Sequence, residues 1–356
     1  MEYVTLRDIA IINMGQSPDS KTYNEEKNGI PFYQGKSDFG KINPIPRVWC
    51  SNPIKIAERD DILISVRAPI GDTNIATEKC CIGRGLASIR PLNENVNRKY
   101  LYYLLNSKYK ELNKFGTGST FKAITKDNLC NLKCIQIPNI KEQIEVVKKL
   151  DNVSQIIEIK KEQIEKLNTI IKSQFVEMFG DIKSKDKNWK TKNGSELFIF
   201  SSGKSNQTSN LSSNFEYKCY GGNGITGLSK DYLIDYDTIV IGRVGAYCGS
   251  VHTTEGKVWI TDNAIYIKEF KEDYNIKFLK ELFEVIDFHR FANFSGQPKI
   301  TQQPLQNYSY ILPPIELQNQ FADIVKQIDK QKFEIQKSLE EMQKLQESLM
   351  NKYFGG

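Results

Sequence analysis

Residues 140–179 read IKEQIEVVKKLDNVSQIIEIKKEQIEKLNTIIKSQFVEMF, and residues 315–354 read IELQNQFADIVKQIDKQKFEIQKSLEEMQKLQESLMNKYF. Each stretch is 40 residues long, contains neither Pro nor Gly, begins just after a proline and ends immediately before a glycine. Proline is favoured at the start of a helix and glycine after its end, and both are disfavoured inside it. The two stretches therefore predict two long helices, each about 60 Å long at 1.5 Å per residue.

Apolar residues recur in both stretches at intervals of seven. This spacing places them on one side of a helix, as a seam that has to be buried against another helix, and the other long helix of the same chain is the obvious partner. Taken alone, the heptads are also typical of a coiled coil that only joins two chains. The predicted helix-pair seam consists of Leu150, Ile157, Ile164, Ile171 and Met178 in the first helix and of Phe321, Ile328, Ile335, Met342 and Leu349 in the second.

The segments that precede the helices also repeat. An acidic residue, a short apolar run and an arginine occur twice at a constant offset of 176 residues, which pairs Arg67 with Arg243. Residues 34–36 (QGK) match residues 221–223 (GGN), and each segment closes on a Gly/Ser-rich loop. A fixed internal period of this kind indicates one structural unit built twice.

Short β-branched runs between Gly-rich turns are typical of strands, and one shorter helix is predicted late in each segment. The predicted fold class is therefore α+β, with two similar, mainly β domains that are each followed by a long helix. The predicted boundaries are 1–137 for the first domain, 138–180 for the first long helix, 181–312 for the second domain and 313–356 for the second long helix.

Composition excludes several classes of protein. The chain has 356 residues, of which 39% are hydrophobic and 26% charged, and this balance is typical of a globular protein. No apolar run approaches the ~18 residues of a membrane span, and the N-terminus lacks the form of a signal peptide, so we expect a cytoplasmic protein without membrane contact. The formal net charge of +6 is compatible with nucleic-acid binding and does not by itself indicate it.

Catalytic motifs are not found in the sequence. The two histidines, His252 and His289, are isolated from residues that could form a catalytic or metal site with them, and the odd number of cysteines, seven, favours reduced thiols. There is no phosphate-binding Gly-x-x-x-x-Gly-Lys-Ser/Thr loop. Residues 115–118 (FGTG) do not follow a predicted buried strand, which argues against a methyl-donor site. The chain is predicted to bind a partner without a catalytic residue, a metal or a cofactor of its own.

At this point the order of the motifs resembles the specificity subunit of type I restriction–modification systems. The resemblance covers essentially the whole chain. The first domain departs from it in one place, because IGRGLA at residues 82–87 stands where the second domain has ITDNA. The motifs that carry the resemblance are the Arg67 and Arg243 turns, the block WITDNA at residues 259–264, the Gly/Ser-rich loops before Ile124-Thr125 and Ile300-Thr301, and LPPI at residues 312–315.

The resemblance implies a specific role. In this family each variable domain is a target recognition domain that reads one half of a bipartite, asymmetric sequence in double-stranded DNA. The long helices pack as an antiparallel coiled coil with pseudo-two-fold symmetry, set the spacing between the half-sites and dock two methyltransferase (modification) subunits. Restriction subunits that hydrolyse ATP and translocate DNA then join. The chain would thus not be an enzyme by itself, and S-adenosylmethionine, ATP and Mg would bind only to the partner subunits.

Candidate DNA contacts follow from side-chain chemistry. Arg and Lys suit guanine edges, Asn and Gln suit adenine, and small polar or basic side chains suit phosphates. Since the repeats share the Arg67/Arg243 pair while their targets should differ, we expect a structural or phosphate-binding role for that pair. Residues 34–36 and 221–223 differ and are better candidates for base reading. The predicted DNA-binding residues are Gln34, Lys36, Arg67, Ser119, Thr120 and Lys122 in the first domain and Lys204, Asn223, Arg243, Tyr247, Gln297 and Lys299 in the second.

Two other functions remain open at the level of the sequence. The chain could serve a simpler system, in which one polypeptide fuses nuclease and methyltransferase. It could also be a coiled-coil scaffold with no role in DNA binding, and it would then show no salt-dependent binding to duplex DNA.

Overall fold

A computed structural model describes residues 3–115, 123–182, 184, 187–206 and 211–355. The chain forms two compact units: unit 1 contains residues 1–160 and 338–356, and unit 2 contains residues 161–337. The predicted long helices are confirmed as α5 (Ile140–Phe179) and α9 (Ile315–Phe354). Each unit therefore contains the first part of one long helix and the last part of the other.

Unit 1 is built from short strands and short helices before α5. In chain order they are β1 (Tyr3–Thr5), α1 (Leu6–Ile9), β2 (Ala10–Met14), β3 (Tyr23–Asn24), β4 (Ile30–Tyr33), β5 (Trp49–Cys50), β6 (Ile56–Ala57), β7 (Ile62–Ser65), β8 (Thr73–Ile75), β9 (Cys80–Ile82), β10 (Leu86–Pro91), α2 (Arg98–Ser107), α3 (Tyr109–Phe115), α4 (Lys126–Cys130) and β11 (Lys133–Ile135).

Unit 2 repeats this order with fewer strands. It contains β12 (Thr191–Asn193), α6 (Gly194–Leu197), β13 (Phe198–Ser202), β14 (Tyr217–Gly221), β15 (Gly224–Ser229), β16 (Ile234–Asp235), β17 (Ile239–Gly242), β18 (Val251–Thr253), β19 (Lys257–Ile260), β20 (Ala264–Phe270), α7 (Ile276–Ile286), α8 (Gln302–Asn307) and β21 (Ser309–Ile311).

The sheets of the two units have matching topology. Unit 1 has a four-stranded sheet of order β2-β10-β7-β8, and unit 2 has one of order β13-β20-β17-β18. A second sheet contains a parallel pair in each unit, β4 with β9 and β14 with β19. The pairs β1-β11 and β12-β21 complete the match. The predicted α+β class and the internal repeat are confirmed.

Each unit has its own hydrophobic core. In unit 1, α2 and the long helices pack on the four-stranded sheet, and in unit 2, α7 and the long helices do so. The strands at the centre of these sheets, β7 (ILIS) and β17 (IVIG), are buried along their whole length, so a continuous apolar run fits them better than an alternating one. Among the described residues, no helix has both the length and the apolar composition that a membrane span needs.

A buried glutamine fixes the start of each long helix to its unit. Gln143 and Gln318 are the fourth residues of α5 and α9, and neither has any exposed surface. The side-chain oxygen of Gln143 accepts a hydrogen bond from the backbone N–H of Asn97 (2.7 Å), and that of Gln318 accepts one from Asn275 (3.0 Å). Asn97 and Asn275 are the N-cap residues of α2 and α7. The glutamine thus joins two helix starts in each unit.

An aromatic residue fixes the end of each long helix. Phe354, the last residue of α9, packs on Tyr100 of α2 with the ring centroids 5.0 Å apart. Phe179, the last residue of α5, packs on Phe278 of α7 at 4.6 Å. Unit 1 therefore contains the start of α5 and the end of α9, and unit 2 contains the start of α9 and the end of α5. Within each unit the two helix segments consequently run antiparallel.

The predicted seam residues are all buried or half-buried, and several of them lie in the core of a unit. Leu150 belongs to the core of unit 1, while Ile171, Phe321 and Ile328 belong to the core of unit 2. The apolar stripe therefore packs against the globular part of each unit as well as along the helices. The buried seam residues are Leu150, Ile157, Ile171, Phe321 and Ile328, and the half-buried ones are Ile164, Met178, Ile335, Met342 and Leu349.

Replacing the buried glutamine should destabilise unit 2. In Gln318→Ala, the N–H of Asn275 and the carbonyl of Pro313, which accepts from Gln318 Nε2 at 2.9 Å, lose their partner. We expect a loss of about 2 kcal/mol in the free energy of unfolding, which is roughly 4–8 °C in melting temperature. Calorimetry measures the change. Gln320→Ala, at an exposed position of the same helix, should melt like the parent, and equal melting of both variants would contradict the assignment.

Candidate nucleic-acid interface

Four loops of unit 1 meet at one edge because of how the strands run. β2 and β7 both pair antiparallel with β10, so their C-terminal ends lie together at the edge where β10 begins. β4 and β9 are parallel, and β9 leads directly into β10. The loops that follow β2, β4, β7 and β9 therefore converge. We call this loop cluster rim 1.

Backbone hydrogen bonds hold the loops of rim 1 to one another. They run from Gly15 N to Leu86 O (2.9 Å), Gln16 N to Ile82 O (3.0 Å), Gly83 N to Tyr33 O (2.8 Å) and Val66 N to Gly85 O (2.9 Å). Since main-chain groups make these bonds, the frame of the rim does not depend on which side chains project from it.

Unit 2 has the same frame, which we call rim 2, formed by the loops after β13, β14, β17 and β19. The corresponding bonds run from Gly203 N to Ala264 O (3.1 Å), Lys204 N to Ile260 O (2.9 Å), Thr261 N to Tyr220 O (2.8 Å) and Arg243 N to Asn263 O (2.9 Å). The two rims can therefore be compared residue by residue from their hydrogen bonds.

This comparison corrects the predicted pairing of Arg67 with Arg243. Arg243 N bonds to Asn263 O as Val66 N bonds to Gly85 O, so Arg243 occupies the place of Val66. The offset at this strand is 177 residues, since Ile62 and Ile239 also hold equivalent positions. Neighbouring residues of extended backbone point to opposite sides. The two arginines therefore cannot share one role.

Arg67 and Arg243 accordingly have different surroundings. Arg67 is exposed, whereas Arg243 is half-buried and donates through Nη1 to Ser202 Oγ and to Asp262 O, both at 3.4 Å. Arg243 thus braces the rim from within. Arg67 projects from it, beside residue 123, where the chain returns after the Gly/Ser-rich loop.

Glycine is required where the rim loops touch. A Cβ on Gly15 would lie 2.1 Å from the carbonyl oxygen of Gly83, and one on Gly203 would lie 2.2 Å from that of Thr261. Both distances are far below van der Waals contact, and the obstacle is backbone, which cannot swing away. The repeated glycine therefore keeps the first rim loop in contact with the turn before β10 or β20.

The loops of rim 1 enclose an open depression of about 420 Å³. Lys36 forms an ion pair with Asp72, whereas Arg67 and Arg84 have no ion-pair partner among the described residues. Two uncompensated guanidinium groups in one depression repel each other and attract an anion or an electronegative base edge. The polar and aromatic residues that line it are Ser17, Tyr23, Gln34, Lys36, Arg67 and Arg84.

Rim 2 carries different side chains on the same frame. Lys204 is exposed in the place of Gln16, and Asn223 is exposed in the loop after β14, the strand equivalent to β4. Lys299 is also exposed and forms a backbone bridge with Val244, as residue 123 does with Arg67. Asp262 stands in the place of Arg84. The positive charges of the two rims therefore lie at different positions.

Of the predicted DNA-binding residues, the structure brings Gln34, Lys36 and Arg67 together in rim 1. Lys204, Asn223 and Lys299 belong to rim 2, and Tyr247 and Gln297 are exposed on the adjoining loops, where Gly245 N bonds to Pro298 O (2.9 Å). Tyr33 and Tyr220 hold equivalent positions, so residues 34–36 and 221–223 follow equivalent strands. Beyond that point the two backbones differ, because Lys36 begins a 3-10 turn, whereas Asn223 lies in the hairpin turn between β14 and β15. Ser119, Thr120 and Lys122 lie outside the described residues.

Sequence reasoning missed Arg84, Ser17 and Tyr23. The signal for Arg84 was present, since an arginine between Gly83 and Gly85 suits a turn that another backbone approaches closely. A Cβ on Gly85 would lie 2.2 Å from Gln34 O. Tyr23 donates to Pro18 O at 2.8 Å, and burial raises its pKa.

One titratable group lies beneath rim 2. The His252 ring is 3.2 Å from the point that a Cβ on Gly224 would occupy, and its Nε2 is buried without a partner among the described residues. Burial, and then the charge of Lys280, lower the pKa of His252, while Glu284 opposes them. The neutral ring is thus the form that suits the turn carrying Asn223.

Two rims that share a backbone frame and carry different polar side chains are suited to binding two different polar surfaces. Comparison with known proteins identifies its class. The family model "Type I restriction modification DNA specificity domain" matches residues 1–169 and 186–345, and the chain belongs to that family. Both repeats are included in the match.

Individual relatives agree with this assignment. The chain is 48% identical over 158 residues to a putative type I restriction enzyme MjaX specificity subunit of Methanocaldococcus jannaschii, a match that spans 44% of this chain and only 37% of that protein. It is 25% identical to the type I restriction enzyme EcoprrI specificity subunit of Escherichia coli, over 92% of this chain and 88% of that protein. The S subunit of a type I restriction–modification system from M. genitalium has the same fold, with a TM-score of 0.67 at 17% identity over 99% of this chain and 96% of that one.

A side chain at Gly203 should disrupt rim 2. Gly203→Ala places a Cβ against the backbone of residues 260 and 261, and we expect a cost of about 1–3 kcal/mol in the free energy of unfolding. Gly227→Ala is the matched control, since nothing lies within 4 Å of its Cβ position. Thermal melting compares the two. A Gly203→Ala variant as stable as Gly227→Ala would mean that the close approach is not required.

His252 should make unit 2 sensitive to acid. Its pKa in the folded state lies below the ordinary value of 6.5, so at acid pH the unfolded chain binds more protons than the folded chain. The stability that the neutral ring contributes is therefore fully present above pH 6.5 and is lost as the pH falls. We expect His252→Gln to lose less melting temperature than the parent between pH 7.5 and 5.5. Exposed His289 serves as the control, and an identical pH response of the parent and His252→Gln would contradict the prediction.

Proposed function

We propose that the chain is the DNA sequence-specificity subunit of a type I restriction–modification complex, in which each unit reads one half of a bipartite, asymmetric site in double-stranded DNA. The observation that carries this proposal is the pair of rims, which share their backbone hydrogen bonds and differ in their side chains. Membership of the DNA-specificity family, over both repeats, supports it.

The chemistry of the rims suits duplex DNA. Side chains of Arg, Lys, Asn and Gln reach base edges in the major groove, and exposed cations also bind phosphates. Rim 1 offers Gln34 and Arg67, and rim 2 offers Lys204, Asn223 and Lys299. Because the sets differ at equivalent positions, the two units should prefer different half-sites, and the complete site should be asymmetric.

The long helices are the proposed docking surface for two methyltransferase subunits. Large apolar side chains remain exposed along them, and the loss of such exposed apolar surface to a partner is a source of binding free energy. Restriction subunits would join this complex, which would work in the cytoplasm. S-adenosylmethionine, ATP and Mg would bind to the partners, and this chain would supply specificity without catalysis. The exposed residues are Ile144, Ile156, Ile159, Ile170, Val176, Phe333 and Leu345.

Adenine-methylation mapping tests the function. The host genome is sequenced with the gene, without it, and with the gene restored. We expect deletion to abolish methylation at one motif of two short half-sites with a fixed gap, and restoration to recover it. A methylation pattern that is the same in all three strains, while the methyltransferase partner is expressed, would contradict the proposal. Salt-dependent duplex binding by the purified complex separates it from a scaffold without a DNA role.

A helix-surface variant tests the docking proposal. Phe333 is 67% exposed, so Phe333→Ser should leave the melting temperature unchanged while it weakens co-purification of the methyltransferase subunit by about tenfold, as expected when an apolar side chain of an interface is lost. Ile54→Ser is the control, since Ile54 is 50% exposed and does not belong to either long helix. Equal recovery of the partner with both variants would exclude this face.

A further inference from the structure

The turns that precede β10 and β20 occupy the same place in the two rims but carry opposite charges. Gly83 N bonds to Tyr33 O as Thr261 N bonds to Tyr220 O, and Gly85 and Asn263 accept from Val66 and Arg243. The residue between these fixed points is Arg84 in rim 1 and Asp262 in rim 2. Both are exposed.

The backbone of these turns is held on both sides. In rim 1 the backbone N–H of Arg84 also donates a hydrogen bond to Ser17 Oγ (3.3 Å), and Gly85 packs against the backbone of Gln34. In rim 2 the carbonyl of Asp262 accepts from Arg243 Nη1 at 3.4 Å. A side chain that starts from a fixed backbone loses little conformational freedom on binding, which is what discrimination between similar ligands requires.

The charge of each turn selects its ligand. Arg84 has no ion-pair partner among the described residues, and its guanidinium can donate two hydrogen bonds to O6 and N7 of guanine. A carboxylate facing DNA is repelled by phosphates, so Asp262 is compatible with a DNA-facing rim when it accepts a hydrogen bond from a base. In the major groove, the amino group at N4 of cytosine is the matching donor.

We propose that Arg84 and Asp262 are the base-reading residues at equivalent positions of the two units, with Arg84 specifying a guanine in one half-site and Asp262 specifying a cytosine in the other. This inference rests on the function proposed above. It assigns the asymmetry of the target, at this position, to a reversal of charge on one turn.

The test uses the complete methylating complex in a host whose own copy of the gene is deleted. The chain is supplied as the parent, Arg84→Ala, Asp262→Asn or Arg59→Ala, and adenine methylation is mapped across the genome. Arg59 is the charge-matched control, because it is exposed at the turn before β7, whereas rim 1 lies after that strand.

Arg84→Ala should relax one guanine of one half-site, with the preference falling by about 5- to 150-fold, the discrimination of a bidentate contact. Asp262→Asn should change one position of the other half-site from cytosine towards adenine, the base that an asparagine amide reads. Arg59→Ala should leave the motif unchanged. A parental motif in Arg84→Ala and in Asp262→Asn would overturn the proposal, as would relaxation of the wrong half.

The failure of the underlying function has a different signature, since the parent itself would then produce no bipartite motif. If Arg84→Ala abolishes methylation altogether, the binding of its purified complex is measured on duplexes in which each base pair of the parental motif is changed in turn. Weaker binding with tolerance of changes at one guanine supports the proposal. Loss of affinity that leaves every base preference intact would overturn it and assign Arg84 to a phosphate.

Discussion

The buried glutamine at the start of each long helix is the interaction on which the rest of the structure depends. Gln143 and Gln318 are fully buried amides whose hydrogen bonds join the long helix to the N-cap of α2 or α7. A buried amide without these partners would cost free energy, so the contact specifies one docking of the helix and disfavours others. With Phe354 and Phe179 fixing the helix ends, each unit is required to hold two antiparallel helix segments. The arrangement of the helix segments within each unit is thus fixed by residues that do not belong to the rims.

A second constraint separates the frame of each rim from its chemistry. The loops are joined by main-chain hydrogen bonds and by glycines at which another backbone allows no Cβ. Side chains at residues 34, 36, 67 and 84, and at their counterparts in unit 2, can therefore change without a change in the frame. Under the function proposed above, the residues that read bases could change without a change in the residues that dock the partner subunits.

The sequence predicted the features that local chemistry controls. Proline before and glycine after each apolar stripe placed both long helices at their observed bounds. It failed where strand pairing decides. Arg67 and Arg243 match by residue type, yet Arg243 occupies the place of Val66, because pairing in the sheet and not residue identity fixes which side a residue faces. Arg84 was overlooked since its turn departs in sequence from the second repeat. Gln143 and Gln318 were unpredictable from pattern alone, because a polar residue beside an apolar stripe is usually exposed.

In the proposed function, one backbone frame, built twice, reads two half-sites through different side chains. The most direct measurement is the methylation motif of a chain in which residues 181–312 are replaced by a second copy of residues 1–137, expressed with its partner subunits. If the units are equivalent frames, the motif should contain two copies of the half-site that residues 1–137 read, and the half-site of the replaced segment should disappear. Retention of the parental, asymmetric motif by this chain would contradict the account.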